Sequence, residues 1–181
     1  QLSVEVLEKS ADTTTLQFSW RFRHVLPAGD DRYLVFQDLD LPRLVVFDLE
    51  WRRVVTQIPL AEKDPLITAG KTLVCLYLKE KGCLQSWSLT TGKLVGEQPW
   101  EGPELPLALA MGVNSDDTLM VVAAEGLGDR SLNLCWHRGS DLRRLHEPIA
   151  ESTSLFTKVE ASADGCYFLI PNGHRTKVYW V

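Results

Sequence analysis

Leu44-Val45-Val46-Phe47-Asp48 and Leu84-Gln85-Ser86-Trp87-Ser88 are short apolar runs ending beside an aromatic residue. The same kind of segment returns as Leu132-Asn133-Leu134-Cys135-Trp136 and as Lys177-Val178-Tyr179-Trp180. The intervals between Phe47, Trp87, Trp136 and Trp180 are 40, 49 and 44 residues. A second marker keeps step with the first. Pro59, Pro99 and Pro148 each close the following run, at intervals of 40 and 49. The third marker is a polar turn ahead of an apolar run: Gly29-Asp30-Asp31-Arg32, Ala69-Gly70-Lys71-Thr72, Ser115-Asp116-Asp117-Thr118 and Ala163-Asp164-Gly165-Cys166. Three markers in one register define a repeated unit.

Working outward, every strong local signal is β. Runs of Val, Leu, Ile and aromatic residues at Tyr33 to Phe36, Arg43 to Leu49, Thr72 to Leu78, Leu119 to Ala123 and Tyr167 to Ile170 are bounded by Gly, Pro, Asn and Asp. Four short strands per unit of about 43 residues is the signature of a β-propeller blade. A blade packs between two neighbours, so its inner strands read as continuous apolar runs, as Thr72 to Leu78 does. With strands labelled a to d from the hub outward, the polar turn precedes b, the aromatic ends c and the proline ends d. A proline suits an outer edge, where no ladder donor is needed. Leu2 to Leu7 and Thr15 to Trp20 read as a c–d pair, with Lys9 to Thr13 as their turn.

The expected architecture is therefore all-β, a propeller of four-stranded antiparallel blades, about four of them present. The boundaries predicted are a partial c–d blade at 1–26, blades at 27–60, 61–101 and 102–150, and a partial a–b–c blade at 151–181. The N-terminal strand d can complete the last blade if four blades close. Because an unclosed propeller bares two apolar faces, and the chain opens on Gln1 and stops at a strand c, the reading is a partial chain cut from a longer propeller.

Ser162-Ala163-Asp164-Gly165-Cys166-Tyr167-Phe168-Leu169 resembles the strand a–b junction of WD40-type repeats. Val46-Phe47-Asp48-Leu49 and Gln85-Ser86-Trp87-Ser88-Leu89-Thr90-Thr91-Gly92-Lys93 resemble that family's strand c and c–d turn. The similarity spans most of the chain in degenerate form. The Trp-Asp positions read Phe47-Asp48, Trp87-Ser88, Trp136-His137 and Trp180-Val181, and Gly173-His174 falls in a b–c loop rather than before strand a. The family's buried Asp–His network thus lacks its usual residues. The resemblance implies a protein-interaction scaffold without catalysis. A narrower similarity, to the propeller part of NACHT-type multidomain ATPases, implies a regulatory or sensor segment of a larger signalling NTPase.

Composition sets outer limits. The chain has 181 residues, 45% hydrophobic, 19 basic against 24 acidic, for a net charge of −5. That apolar content argues against disorder. The charge supplies no bulk positive field for nucleic acid. No apolar run approaches the roughly 20 residues of a membrane span. Cys75, Cys83, Cys135 and Cys166 include no CxxC pair, so a structural zinc is not expected. They read as buried or half-buried free thiols of a cytoplasmic protein, with a Cys75–Cys83 disulfide across a hairpin left open. The expected partners are other proteins, with no nucleic acid, membrane, small-molecule substrate, metal or cofactor.

No catalytic motif is complete in the sequence. Gly70-Lys71-Thr72 resembles the end of a phosphate loop, but Pro65 stands where the first Gly belongs and the segment enters a strand. His24, His137, His146 and His174 lack metal-ligand spacing. Asp30-Asp31, Asp38, Asp40 and Asp116-Asp117 sit at turns, where Asp bonds the local backbone. Thr90-Thr91-Gly92-Lys93 with Trp100 is similar to one repeat of quinoprotein propellers, but occurs once. No Ser or Cys is paired with a base, so no enzyme is expected.

One charged feature repeats. Arg52-Arg53, Lys93 and Arg143-Arg144 precede the apolar part of each strand d, which predicts a basic arc along one rim. Such an arc suits an acidic or phosphorylated segment; equally, Lys and Arg protect an outer edge from strand addition. Trp51, in a c–d turn, and Trp100, after a strand d, are anchor candidates. Each has the alternative of tucking against the neighbouring blade.

Overall fold

A computed structural model describes residues 4–9, 14–102, 105–124, 131–152, 158–172 and 175–181. They form strands only. A hairpin, β1 (Val4–Lys9) and β2 (Thr14–Phe18), precedes blade 1, built from β3 (Phe22–Ala28), β4 (Tyr33–Asp38), β5 (Arg43–Asp48) and β6 (Arg53–Pro59). Blade 2 holds β7 (Leu66–Ala69), β8 (Leu73–Leu78), β9 (Cys83–Ser88) and β10 (Leu94–Pro99). Blade 3 holds β11 (Leu105–Met111), β12 (Thr118–Ala124), β13 (Ser131–Arg138) and β14 (Ile149–Ser152). Blade 4 has β15 (Glu160–Ala161), β16 (Tyr167–Asn172) and β17 (Arg175–Trp180). Each sheet is an antiparallel meander in chain order, a four-bladed propeller by architecture.

The strand order confirms the a–b–c–d reading, and β8, buried along its whole length, shows why its sequence is continuously apolar. Blades 1 and 2 meet through Val35, Val46, Leu76 and Leu78 among others. Blades 2 and 3 meet through Tyr77, Leu84, Leu119 and Val121, and blades 3 and 4 through Val122, Leu134, Phe168 and Ile170. The β1–β2 hairpin lays Leu16 and Phe18 on Phe36 and Phe47 of blade 1. Within the described residues it shares no ladder with β17, so Thr15 to Trp20 does not serve as the fourth strand of blade 4.

Several sequence expectations need adjustment. Blade 1 begins at Phe22, inside the stretch assigned to the N-terminal partial blade, and β14 runs to Ser152, past the expected end at 150. Pro148 does not close strand d of blade 3. It precedes β14, and the outer strand first touches β13 through a His137–Arg144 bridge before the ladder resumes at Ile149. The proline, lacking an amide proton, sits in that interruption. Cys166 is exposed rather than buried, while Cys75, Cys83 and Cys135 are buried; all four are free, so no Cys75–Cys83 disulfide forms. Gly173-His174 and residues 10–13 lie outside the described residues.

The aromatic marker also slips by one. Asp48 pairs with the first residue of β4, Ser88 with that of β8 and Arg138 with that of β12; Trp180 pairs with Tyr167 at the start of β16. The residues equivalent to Phe47 and Trp87 are therefore His137 and Tyr179, not Trp136 and Trp180. A slip of one residue turns a side chain to the opposite face of its sheet. Trp136 accordingly packs toward blade 4 with Phe168 and Ile170. Trp180, facing away from blade 3, is 78% exposed.

At the hub, Leu26, Ile67 and Leu109 of the innermost strands, with Val159 just before β15 and Leu169 of β16, line a cavity of about 490 Å³. The a–b turns are stitched together around it. Gly29 N–H donates to Gly70 O (2.9 Å), Lys71 N–H to Ser115 O (3.4 Å) and Asn114 N–H to Ala163 O (2.8 Å). Asp30 N–H reaches from blade 1 to Val113 O of blade 3 (3.1 Å). Asp116 accepts from the amide of Thr72 (2.9 Å) and from its hydroxyl (2.6 Å), a turn Asp that bonds the adjacent blade.

Candidate functional site

The c–d turns carry the residues singled out from sequence, and the ladders put them in equivalent places. Arg53 pairs with Asp48, Lys93 O accepts from Ser88 N–H, and Arg143 O accepts from Arg138 N–H. Arg53, Lys93 and Arg143 thus occupy one position of the repeat, where the c–d turn closes, with Arg52 and Arg144 beside it. The turn geometry repeats too. Arg52, Gly92 and Leu142 have φ of 53°, 63° and 60°, a left-handed conformation natural to glycine and costly to Arg52 and Leu142. The blade 2 and blade 3 turns pack on the preceding blade. A Cβ on Gly92 would meet Thr56 Oγ1 at 2.5 Å, and one on Gly96 would meet Ser140 O at 3.0 Å.

In blade 1 the turn builds an exposed cluster. Trp51 is 57% exposed, with the Arg53 guanidinium 4.4 Å and that of Arg32 5.3 Å from its ring. Arg32 is held by Asp48 (Nε–Oδ2 2.9 Å) and by Glu50 (3.3 Å). Asp48 also accepts from Trp51 N–H at 2.8 Å and is 1% exposed. Burial alone would raise the Asp48 pKa; the Trp51 amide and the Arg32 bond and charge outweigh it and bring it below the ordinary value. Among Asp48, Ser88, Arg138 and Trp180, which share one ladder position, Asp48 is the only acid, and an arginine from the a–b turn satisfies it. Sequence reading missed Arg32, whose only signal was its place in the polar turn before β4.

Trp100 is placed differently. It is half-buried between blades 2 and 3, its ring 6.3 Å from Tyr77 and 5.8 Å from His137. Trp100 and His137, together with Glu101, Asp141, Leu142, Arg143 and Arg144, wall a groove of about 440 Å³. The repeat explains why the groove exists. At the preceding blade junction the residue equivalent to His137 is Trp87, and the residue equivalent to Trp100, also just after the strand d proline, is Leu60. Trp87 packs against the core cluster that contains Leu60. The sizes are exchanged one blade later, so an imidazole stands where an indole filled the space.

His137 is 6% exposed. Its Nδ1 lies 2.8 Å from Leu142 O, and its Nε2 is buried with no hydrogen-bond partner among the described residues. Burial lowers its pKa, the Leu142 bond opposes this, and the Arg144 charge lowers it further. The neutral imidazole therefore donates from Nδ1 to the carbonyl and leaves a lone pair on Nε2. Asp141 accepts from Arg143 N–H and pairs with Arg138 at 3.1 Å. Arg143 and Arg144 are exposed, and neither guanidinium makes an ion pair with the described residues. The sequence thus nominated Trp51 and Trp100 on equal terms, and the fold separates them: one stands at a turn tip, the other walls an inter-blade groove.

Among the described residues no group of three or more His, Cys, Asp or Glu is placed to hold a metal ion, and no helix is long and apolar enough to cross a membrane. No protein-family model and no curated protein matches the sequence. The fold is similar to solved structures. The computationally designed Ika4 protein aligns with a TM-score of 0.58 at 14% identity, over 90% of this chain and 92% of that one. The Myceliophteria thermophila Cps50 (Swd1) β-propeller domain aligns at 0.62 and 8% identity, over 99% of this chain and 63% of its own. U3-55K aligns at 0.58 and 12% identity, over 98% of this chain and 54% of its own. The chain thus spans between half and two thirds of the length of these two WD40 propellers. At such identities the likeness shows the fold: this chain is built as a β-propeller.

Proposed function

We propose that the chain is a non-catalytic protein-interaction scaffold built on WD40-like repeats. The observation that carries this reading is Trp51. An indole that stands 57% exposed at a turn tip, flanked by two guanidinium groups within 5.3 Å, loses little side-chain freedom on binding, the property of an interface anchor. The similarity in fold to WD40 propeller domains is consistent with this role.

The test compares wild type, Trp51→Ala and the double variant Arg53→Glu with Arg144→Glu as bait for the soluble proteins of a cell extract. Loss of the Trp51 anchor is expected to weaken the principal captured partner by about thirtyfold, the size of a ~2 kcal/mol hot spot. Unchanged capture by all three proteins overturns the reading.

A further inference from the structure

We propose that the groove between β10 and the β13–β14 turn binds an extended acidic peptide segment of a partner protein. In this arrangement a ligand carboxylate pairs with Arg143 and Arg144, and a neighbouring main-chain N–H donates to His137 Nε2. The inference rests on the scaffold reading and adds to it a site and a ligand chemistry.

Three observations converge on it. His137 is 94% buried by its 6% residual exposure, and its Nε2 has no partner among the described residues. A buried acceptor left unmade costs on the order of 1–3 kcal/mol, which a ligand donor recovers when the Trp100 ring against the imidazole moves aside to admit it. Because Nδ1 is committed to Leu142 O, the group that satisfies Nε2 must be a donor; a bare anion would be repelled by its lone pair. The two exposed guanidinium groups supply the opposite preference in the same groove, where charge-assisted pairs with carboxylate are the strong ones. An Asp or Glu flanked by its own peptide N–H meets both demands with one residue.

The groove walls refine the orientation. Glu101 lines the groove and repels a second anion there, which confines the ligand charge to the arginine end. Asp141 also lines it, but its carboxylate is occupied by Arg138 and the Arg143 amide. Trp100 lies against the imidazole, so occupancy changes the surroundings of an indole. Among the described residues no strand lies beside the outer edge of β10, which leaves room for an extended chain.

The experiment presents the protein with two pools of short peptides, one carrying paired Asp or Glu residues and one with Asn or Gln in their place; a phosphoserine pool forms a third arm. Retention of the acidic pool alone is expected. Binding should weaken toward about 0.3 M salt, as screening shortens, and fall about tenfold or more in Arg143→Gln with Arg144→Gln. His137→Asn keeps a donor for Leu142 O but loses the acceptor, and is expected to weaken binding severalfold. His137→Gln, which can restore an acceptor near the Nε2 position, should regain part of it. The fluorescence change on binding should disappear in Trp100→Phe. Equal retention of the acidic and amide pools, retention of the phosphoserine pool alone, or indifference to the arginine substitutions overturns the proposal. Trp51→Ala should leave peptide retention intact, so this site and the Trp51 anchor can fail independently.

Discussion

At position 137 the chain carries an imidazole where the equivalent residue one blade earlier is Trp87, and at position 48 it carries a buried carboxylate where the later blades have Ser88 and Arg138. Side chains at position 48 and its equivalents have the task of holding the c–d turn. Asp48 takes the Trp51 amide at 2.8 Å and Ser88 Oγ takes that of Thr91 at 3.3 Å. The acid in blade 1 gives the protein a pH dependence of defined sign. Asp38 behaves likewise: burial would raise its pKa, but the Arg43 side chain and the amides of Asp40 and Leu41 lower it overall. Both carboxylates are held below the ordinary value, so the stability they contribute is complete above the unfolded pKa of about 4 and is lost as pH falls through the lower folded values. Urea unfolding midpoints should be flat above about pH 5 and decline in acid. Asp48→Asn should lower the midpoint at neutral pH and flatten part of that decline; an unchanged acid limb would show that Asp48 does not contribute.

The elements explain what the sequence could reveal. A strand buried on both faces must be apolar throughout, so β8 and β12 announced themselves, and the polar turns ahead of each strand b fixed the repeat. Register was harder to read. Trp136 and Trp180 look like the partners of Phe47 and Trp87 because aromatic character is visible in a sequence, whereas the face on which it falls is decided by ladder pairing. The true equivalents, His137 and Tyr179, flank them by one residue. For the same reason the inter-blade groove was illegible: its two walls come from residues 98–101 and 137–144, and its emptiness depends on the exchange of Trp87 and Leu60 for His137 and Trp100. The basic positions Arg53, Lys93 and Arg143 were legible, since they recur with the strands. The blade junctions also yield an element-scale prediction. A Cβ on Gly112, after β11, would collide with backbone atoms of Ser162, Ala163 and Gly165 in the a–b turn of blade 4. Backbone cannot retreat as a flexible side chain can, so Gly112→Ala should destabilise by about 1–3 kcal/mol, measured by chemical denaturation. A neutral result would mean that blade 4 can shift away from blade 3 without cost.

Across the whole molecule, rigidity is distributed unevenly between hub and rim. The outer turns carry the exposed chemistry: the Trp51 cluster and the arginine end of the groove. The inner turns are bound from blade to blade, and one bond, from Asp30 to Val113, joins blades that are not neighbours in the meander. Amide hydrogen exchange should make this visible residue by residue. Turn amides normally exchange quickly, but those of Gly29, Asp30 and Asn114 can exchange only when a contact between blades opens. They should persist as long as amides of the surrounding strands, while Thr90, at the tip of an outer turn, exchanges early. If the three hub amides exchange as fast as Thr90, the blades open independently of one another. If they persist, the last protons the protein surrenders will include those of loops, and the slow ones will trace its axis.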